Sequence, residues 1–157
     1  MDPERRPLSE LKFDHIGIAL RSLAEGRTHL RALFGIVRWT AEFDDPLNRI
    51  RVQFGRDGSG IVYELIAPNG PEGPVGEALR TGSRILNHVA YLTPDLEQSA
   101  ERLRRGGCMP FSDPTPAIAY DGKPIQFFIS RYRFLIELIE APDHQHRFET
   151  LFEGSHR

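Results

Sequence analysis

The sequence predicts an α+β fold in which two βαβββ modules in tandem form a curved mixed sheet around a cavity. The first observation is an internal repeat: Phe13-Asp14-His15-Ile16-Gly17-Ile18 matches Leu86-Asn87-His88-Val89-Ala90-Tyr91 at an offset of 73 residues. The same offset relates Tyr63-Glu64-Leu65-Ile66 to Ile136-Glu137-Leu138-Ile139. The second observation is that each half reads as a strand, a helix and three strands. The third is the length, because 157 residues suit one domain better than two.

The elements of module 1 follow from hydrophobic periodicity and from the residues that begin and end helices. A helix at 22–34 begins at Ser22, whose hydroxyl can cap exposed N–H groups, and ends before Gly35. The predicted strands lie at about 13–20, 36–43, 49–55 and 60–66. Asp57-Gly58 favours a hairpin between the last two strands, since glycine tolerates the positive φ of such turns.

Module 2 repeats this order of elements. Its helix at 95–105 begins at Asp95 and ends before Gly106, and its strands lie at about 86–92, 109–112, 124–130 and 133–139. The residues at 67–85 are rich in Pro and Gly and join the modules. We therefore predict one domain at 11–141, with module 1 at about 13–66, the linker at 67–85 and module 2 at about 86–141. We expect loose termini at 1–10 and 143–157.

Composition and charge argue against several classes of function. Twenty Lys and Arg against 22 Asp and Glu give a net charge of −2 without a block of like charges, so we expect no nucleic-acid partner and no basic membrane-binding patch. No apolar run approaches the roughly 20 residues of a membrane-spanning helix. Cys108 is the single cysteine, and the first residues lack the apolar stretch of a signal peptide. We therefore expect a cytoplasmic protein that acts on a small molecule.

Four polar residues stand within predicted strands, where an unpaired buried charge is costly. His15 and His88 lie on the first strand of each module, and Glu64 and Glu137 lie on the last. Each alone reads most simply as a solvent-facing or hydrogen-bonded side chain. Their repetition at equal spacing indicates instead that they meet on one concave surface. Two imidazoles and two carboxylates there predict a site for one divalent metal ion, with Mn, Fe, Co, Ni or Zn better suited than Ca.

These motifs resemble the vicinal oxygen chelate superfamily, the glyoxalase, bleomycin-resistance and extradiol-dioxygenase group, over residues 11–141. Within it the chain is most similar to methylmalonyl-CoA epimerases and their glyoxalase-like relatives, which share the order of elements and the linker. The resemblance implies that His15, Glu64, His88 and Glu137 are the metal ligands. Those epimerases use His, Gln, His and Glu, so Glu64 departs from their pattern and matches bacterial-type glyoxalase I instead.

The resemblance also implies a Lewis-acid metal and a base that removes a proton beside a thioester or ketone. Glu137, a ligand that can detach, is one candidate for a catalytic base. We expect the second base on the central strands of module 1, where Glu42 is the only carboxylate within a predicted strand. The connection at 112–123 is expected to form a rim or lid. Other polar residues expected near the cavity are Arg49, Arg51, Gln53, Tyr120, Lys123 and Gln126.

The favoured function is a metal-dependent epimerase, isomerase or lyase that acts through an enolate on a small acyl thioester of the methylmalonyl-CoA kind or on a 2-oxo compound. A glyoxalase I-type lactoylglutathione lyase is an alternative because of the ligand set. An extradiol-type dioxygenase would use His15, His88 and Glu137 but leave Glu64 without a role. A metal-free binding protein of the antibiotic-resistance type would not need these four residues. Edge strands of paired modules commonly associate, so we expect a homodimer.

Overall fold

The computed structural model describes residues 10–71, 73–82 and 87–150. The first module contains β1 (Lys12–Ala19), α1 (Leu23–Phe34), β2 (Arg38–Trp39), β3 (Phe43–Asp45), β4 (Ile50–Arg56) and β5 (Val62–Pro68). The linker contains α2 (Pro74–Thr81). The second module contains β6 (His88–Leu92), α3 (Leu96–Arg105), β7 (Met109–Pro110), β8 (Thr115–Ala117), a 3₁₀ turn (Ile118–Tyr120), β9 (Lys123–Ile129) and β10 (Leu135–Ile139), and β11 (Glu149–Thr150) follows. No helix within these ranges is long and apolar enough to cross a bilayer.

The two long helices begin and end where their capping residues predict. The Ser22 hydroxyl accepts a hydrogen bond from the backbone N–H of Glu25 at the start of α1. Gly35 ends that helix in the left-handed conformation, with a φ of 67° that favours glycine. In α3 the Asp95 carboxylate accepts from the backbone N–H of Gln98. Local sequence therefore fixes both helices before any packing is considered.

The described strands form one mixed sheet with the order β11-β2-β4-β5-β1-β6-β10-β9-β7, while β3 pairs with β4 and β8 pairs with β9. Within each module the first and last strands are parallel neighbours, β1 with β5 and β6 with β10. The modules join through the antiparallel pair β1 and β6 at the centre of the sheet. This arrangement confirms the α+β fold of paired βαβββ modules.

Helices α1 and α3 cover one face of the sheet, whereas α2 lies on the other face and contributes Val75 to the wall of the cavity. Beneath α1 lies a core cluster of Leu23, Leu30, Ile36, Trp39, Leu65 and Ala67. Beneath α3 lies a second, of Leu96, Ala100, Phe128 and Leu138. Full burial of one large apolar side chain stabilises the fold by about 1.5–3 kcal/mol. Strand residues alternate between faces, so Glu64 and Ile66 on β5 face the cavity while Leu65 faces α1.

The strand predicted at 36–43 is interrupted, and this places Glu42 outside any strand. β2 ends at Trp39 and β3 begins at Phe43. In the interval the Thr40 hydroxyl accepts a hydrogen bond from the backbone N–H of Phe54, and the Thr40 carbonyl accepts from the Gln53 side-chain amide. These side-chain bonds take the place of the strand ladder, which explains the interruption.

Residues 143–150, which we expected to be loose, pack against module 1. β11 pairs antiparallel with β2, with Glu149 opposite Trp39. The His146 imidazole lies 3.0 Å from the Asp14 carboxylate, its partner 132 positions away in the chain. The expectation was wrong for this segment because such distant contacts leave no periodic signal in a short polar stretch. The rest of the predicted termini, 1–9 and 151–157, lies outside the described residues, as do linker positions 72 and 83–85.

Candidate metal centre

The structure brings His15, Glu64, His88 and Glu137 together as one buried cluster. His15 Nε2 lies 3.2 Å from His88 Nε2, 3.2 Å from Glu137 Oε1 and 3.5 Å from Glu64 Oε1. His88 Nε2 lies 3.3 Å from Glu137 Oε1 and 3.6 Å from Glu64 Oε1. Four ligand atoms, one from each residue, therefore surround a common point.

The positions of Glu64 and His88, the first pair of the cluster, are set by the register of three neighbouring strands. Glu64 on β5 pairs with Gly17 on β1, and Gly17 pairs in turn with His88 on β6. Glycine has no side chain to separate its neighbours, and a methyl group at this position would overlap the His88 imidazole. Gly17 therefore lets the carboxylate and the imidazole approach each other across the middle strand.

The second pair repeats this arrangement one module later. His15 on β1 pairs with Ala90 on β6, and Ala90 pairs with Glu137 on β10. Ala90 occupies the position that the repeat equates with Gly17, and it is fully buried. Each His and Glu pair thus spans one small residue, and the two pairs meet at the β1 and β6 junction.

The separations suit a divalent cation. A tetrahedral shell with ligands about 2.1 Å from the ion has edges of about 3.4 Å, and the five measured separations run from 3.2 to 3.6 Å. Glu137 Oε1 is buried and accepts no hydrogen bond, although both imidazoles lie within 3.3 Å of it. A buried carboxylate oxygen without a donor is costly, so a cation at this point would satisfy it. His and carboxylate ligands suit Mn, Fe, Co, Ni or Zn.

The charges of the cluster also indicate that a cation belongs there. Burial alone would lower the pKa of His15, but Glu64, together with Asp14 and Glu137, raises that pKa well above its ordinary value. Burial would raise the pKa of Glu137, but His15 and His88 hold it at about 2. The carboxylates therefore favour a positive charge at this point of the cluster. A divalent ion would supply that positive charge.

A cavity of about 230 Å³ opens beside the cluster. Glu64, His88 and Glu137 form part of its wall. Most of the remaining wall is apolar and includes Ile50, Val52, Ile66, Val75, Ile125 and Phe127. The ligand cluster is therefore exposed on one side to a small, mostly apolar space of the kind that binds small molecules.

The connection predicted to form the rim lies in the cavity wall. Ser112, Thr115 and Tyr120 line the cavity, and β8 fixes this part of the chain by pairing with β9. Burial and the nearby Asp14 carboxylate raise the pKa of Tyr120 well above its ordinary value. The Tyr120 hydroxyl therefore stays protonated and acts as a hydrogen-bond donor.

Comparison with known proteins identifies the family. Residues 14–127 match the Glyoxalase/Bleomycin resistance protein/Dioxygenase superfamily. The chain belongs to this superfamily. It is 29% identical over 137 residues to the uncharacterized protein YqjC of Bacillus subtilis (strain 168), covering 86% of this chain and 96% of that protein. It is also 27% identical over 122 residues to the mitochondrial methylmalonyl-CoA epimerase of Dictyostelium discoideum, covering 74% of this chain and 69% of that enzyme.

A solved structure of the superfamily shares the fold. The methylmalonyl-CoA epimerase from Mycobacterium tuberculosis superposes with a TM-score of 0.66 at 21% identity, covering 87% of this chain and 93% of that one. The match confirms the resemblance drawn from the paired motifs. Members of the superfamily often bind a divalent metal, and this member has a His and Glu cluster that could hold one.

Glu42, predicted as the second catalytic base, lies away from the cavity of this superfamily member. Its carboxylate is exposed and accepts a hydrogen bond of 2.9 Å from Arg27 of α1. Arg27 also donates to the Gln53 side chain, which lies on the helix-covered face. Glu42 was chosen as the only carboxylate within the strand predicted at 36–43, but the chain leaves that strand at Thr40, so the structure does not place Glu42 where the prediction required.

Asp45 is the cavity carboxylate that sequence reasoning missed. It ends β3, is buried and lines the cavity. Its two oxygens accept hydrogen bonds from the backbone N–H and the side-chain amide of Asn48, at 3.1 and 2.9 Å. Strand alternation could have indicated Asp45, because residues 43 and 45 of one strand lie on the same face of the sheet. The predicted strand ended at residue 43, so this signal was not used.

Replacing Gly17 with alanine is expected to disrupt the metal centre of this superfamily protein. The added methyl group overlaps the His88 imidazole and displaces it from the cluster. We expect the affinity for a divalent ion to fall at least about 10-fold, which is the lower end of the loss seen when a residue that orients a metal ligand is replaced. Titration with Co²⁺ or Zn²⁺ measures the change. Gly58→Ala is the control, because a methyl group there meets nothing within 4 Å, and equal affinity in the two variants would contradict the prediction.

Proposed function

We propose that this superfamily member is a metal-dependent epimerase, isomerase or lyase that acts through an enolate on a small acyl thioester, such as methylmalonyl-CoA, or on a 2-oxo compound. The observation that carries the proposal is the position of Glu137, which belongs both to the ligand cluster and to the cavity wall. A carboxylate at that junction can reach both a bound cation and a substrate carbon. The epimerases among the relatives and structural neighbours support the same substrate class.

In this proposal the ligand cluster binds the metal ion and the cavity binds the substrate. His15, Glu64, His88 and Glu137 would hold the divalent ion, which would polarise a substrate carbonyl as a Lewis acid. The apolar wall keeps bulk water from the reacting carbon and strengthens the charge interactions inside the cavity. The substrate class is therefore one whose carbonyl oxygen reaches the cluster while its α-carbon faces Glu137.

Glu137 accepts and returns the α-proton in this proposal. Its pKa of about 2 makes it a weak base while it lies between His15 and His88. When the carboxylate moves away from the imidazoles toward the apolar cavity, burial without these partners raises its pKa. Departure from the cluster is thus the step that makes Glu137 basic enough to remove a proton.

Exchange of substrate hydrogen with solvent tests the proposed function. In D₂O, with a divalent ion bound, the protein is expected to replace the α-hydrogen of an acyl thioester or 2-oxo compound with deuterium, which NMR detects directly. Protein treated with a chelator is the control and should show no exchange. If the metal-loaded protein exchanges the α-hydrogen of no thioester or 2-oxo compound tested, the enolate mechanism is excluded.

Asp45 is the proposed second base, because inversion at carbon requires a proton donor on the face opposite the first base. Asp45 lines the cavity, and two hydrogen bonds from Asn48 fix its carboxylate before substrate binds. Asp45→Asn is expected to slow inversion of a single stereoisomer by roughly 10²-fold or more. Exchange catalysed by Glu137 should continue without inversion. Stereoisomer analysis combined with deuterium NMR separates the two rates.

The matched control for Asp45 is Glu42→Gln. That carboxylate is exposed and bound to Arg27 on the other side of the sheet, so its loss should leave both exchange and inversion unchanged. If inversion survives in Asp45→Asn but fails in Glu42→Gln, the second base is Glu42, as predicted from the sequence, and not Asp45.

A glyoxalase I-type lyase is the second candidate, and Glu64 favours it because the superfamily's bacterial-type glyoxalases share the His-Glu-His-Glu set. Glutathione carries two carboxylates that need cationic partners. In the part of the chain that the structure describes, the cavity wall contains no Lys or Arg to pair with them, which favours a substrate whose negative charges lie on the metal or outside this cavity. Conversion of the methylglyoxal and glutathione hemithioacetal, followed by absorbance, distinguishes the two activities.

A further inference from the structure

A second group of polar side chains surrounds Nδ1 of His15, the ring nitrogen that does not belong to the ligand cluster, and one of its members, Tyr120, also lines the cavity. The Asp14 carboxylate accepts a hydrogen bond of 2.6 Å from the Tyr120 hydroxyl. It also lies within hydrogen-bond distance of His15 Nδ1, at 2.7 Å, and of His146 Nε2, at 3.0 and 3.1 Å. The Asp14 and His146 side chains are only 6% and 7% exposed. This buried network joins the C-terminal strap, which we define as residues 143–150, to a member of the ligand cluster.

We infer that the C-terminal strap positions the metal centre: His146 and Tyr120 hold Asp14, and Asp14 holds the His15 ring with its Nε2 toward the cation. Asp14, Tyr120 and His146 are positioning residues in this scheme, since they act through His15. The inference rests on the proposed metal centre but not on the proposed reaction. Carboxylates bonded to a ligand histidine fix its tautomer and orientation, and their loss typically costs 10–100-fold in metal affinity.

An irregularity in β1 brings Asp14 to this position. Phe13 pairs with Tyr91 and His15 pairs with Ala90, so Asp14 is an extra residue in β1 relative to β6. A bulge of this kind changes the direction in which a neighbouring side chain points. Here the Asp14 carboxylate lies on the same side of the strand as His15 and contacts its Nδ1. With the Nδ1 proton donated to Asp14, the Nε2 lone pair is free to bind a cation.

Module 2 has a different residue at the position of Asp14. The equivalent residue is Asn87, and its side-chain oxygen accepts a hydrogen bond from the backbone N–H of Ala19. The repeat therefore duplicates the two histidine ligands but not the carboxylate that precedes the first of them. The network of the strap reaches the ligand cluster through His15.

Packing holds the strap where His146 can act. The His146 ring lies 4.3 Å from the Phe54 ring, and the His144 ring lies 4.5 Å from the Tyr120 ring. Pairing of β11 with β2 ties down the far end of the strap. His144 contacts Tyr120 and His146, and no described contact joins it to Asp14. His144 Nε2 also lies 3.4 Å from His146 Nδ1, so His144 belongs to the polar network, whereas Phe148 contacts His146 through its ring, with the centroids 6.0 Å apart.

Metal affinity of the full-length protein tests the inference. We expect Asp14→Asn and His146→Phe to weaken Co²⁺ or Zn²⁺ binding by roughly 10- to 100-fold. Phe148→Leu, the control, changes a ring contact of the strap without removing a hydrogen bond and should bind as the parent does. His146→Gln can still donate to Asp14 and should recover most of the affinity. Melting of each metal-free variant, measured beside the titration, confirms that every protein is folded at the temperature used.

Two further readouts distinguish positioning from a merely structural role. Nitrogen-15 NMR of the Zn²⁺-loaded protein should show the Nδ1–H resonance of His15 shifted in Asp14→Asn and His146→Phe, because that proton then loses its carboxylate partner or bonds to one that is less firmly held. Linkage requires that bound metal stabilise the strap in turn, so amides of 143–150 should exchange more slowly in the metal-loaded protein.

Three results would overturn the inference. Parent-like affinity in both Asp14→Asn and His146→Phe would show that the network does not position His15. Two ions per chain would show that Asp14, His15 and His146, which could themselves hold an ion, form a second metal site instead. A parent that binds no divalent ion would remove the proposed function together with the positioning role, whereas normal binding without substrate exchange would remove the proposed reaction alone.

Discussion

Replacing His15 or His88 with alanine is expected to lower metal affinity by about two orders of magnitude or more. Each imidazole supplies one of four ligand atoms, and its loss leaves a gap that water fills imperfectly in a buried site. The remaining carboxylates also lose the neighbour that balances their charge, since His15 lies 3.2 and 3.5 Å from Glu137 and Glu64. Direct competition with a chelator of known affinity measures the change.

The control for these substitutions is His29→Ala. His29 lies exposed on α1 and takes no part in the cluster, so its loss should leave the metal content unchanged after dialysis. Unaltered metal content in the His15 and His88 variants would end the metal-centre hypothesis. A fall in all three variants would point to nonspecific binding of the ion by surface histidines.

The fold and the four-residue cluster could be predicted because their signals repeat within the chain. Helix ends at Ser22, Gly35 and Asp95 follow from local chemistry that acts over a few residues. The convergence of the two His and Glu pairs follows from the repeat, since equal spacing in two modules implies equivalent places in one sheet. Periodicity and symmetry are properties of sequence, so these features needed no knowledge of tertiary contacts.

The surroundings of Glu42 and the strap could not be predicted, because each depends on a departure from regular structure. Glu42 was chosen as the only carboxylate within the strand predicted at 36–43, but side-chain hydrogen bonds at Thr40 interrupt that strand. Asp14 reaches His15 through a bulge, which alters the pairing of β1 without any marker residue. His146 joins Asp14 across 132 positions. Contacts of this kind are decided by packing rather than by local propensity.

Glu137→Gln is expected to slow exchange of the substrate α-hydrogen by roughly 10² to 10⁴, the range attributed to a positioned general base. The amide keeps an oxygen that can coordinate a cation, but it cannot accept a proton at neutral pH. Metal binding should therefore weaken only modestly while exchange nearly ceases. Deuterium NMR at saturating metal measures the chemical step separately from occupancy of the site.

Glu64→Gln is the matched control, because it makes the same change of charge at the other carboxylate of the cluster. Both carboxylates lie within 3.6 Å of His88 Nε2, so a purely electrostatic role predicts equal losses. A division of labour predicts that Glu64→Gln keeps most of the exchange, since it restores the Gln that the similar epimerases carry there. Equal losses in the two variants would show that the carboxylates act as one electrostatic unit, and the base would then have to be sought at Asp45, the remaining carboxylate of the described cavity wall.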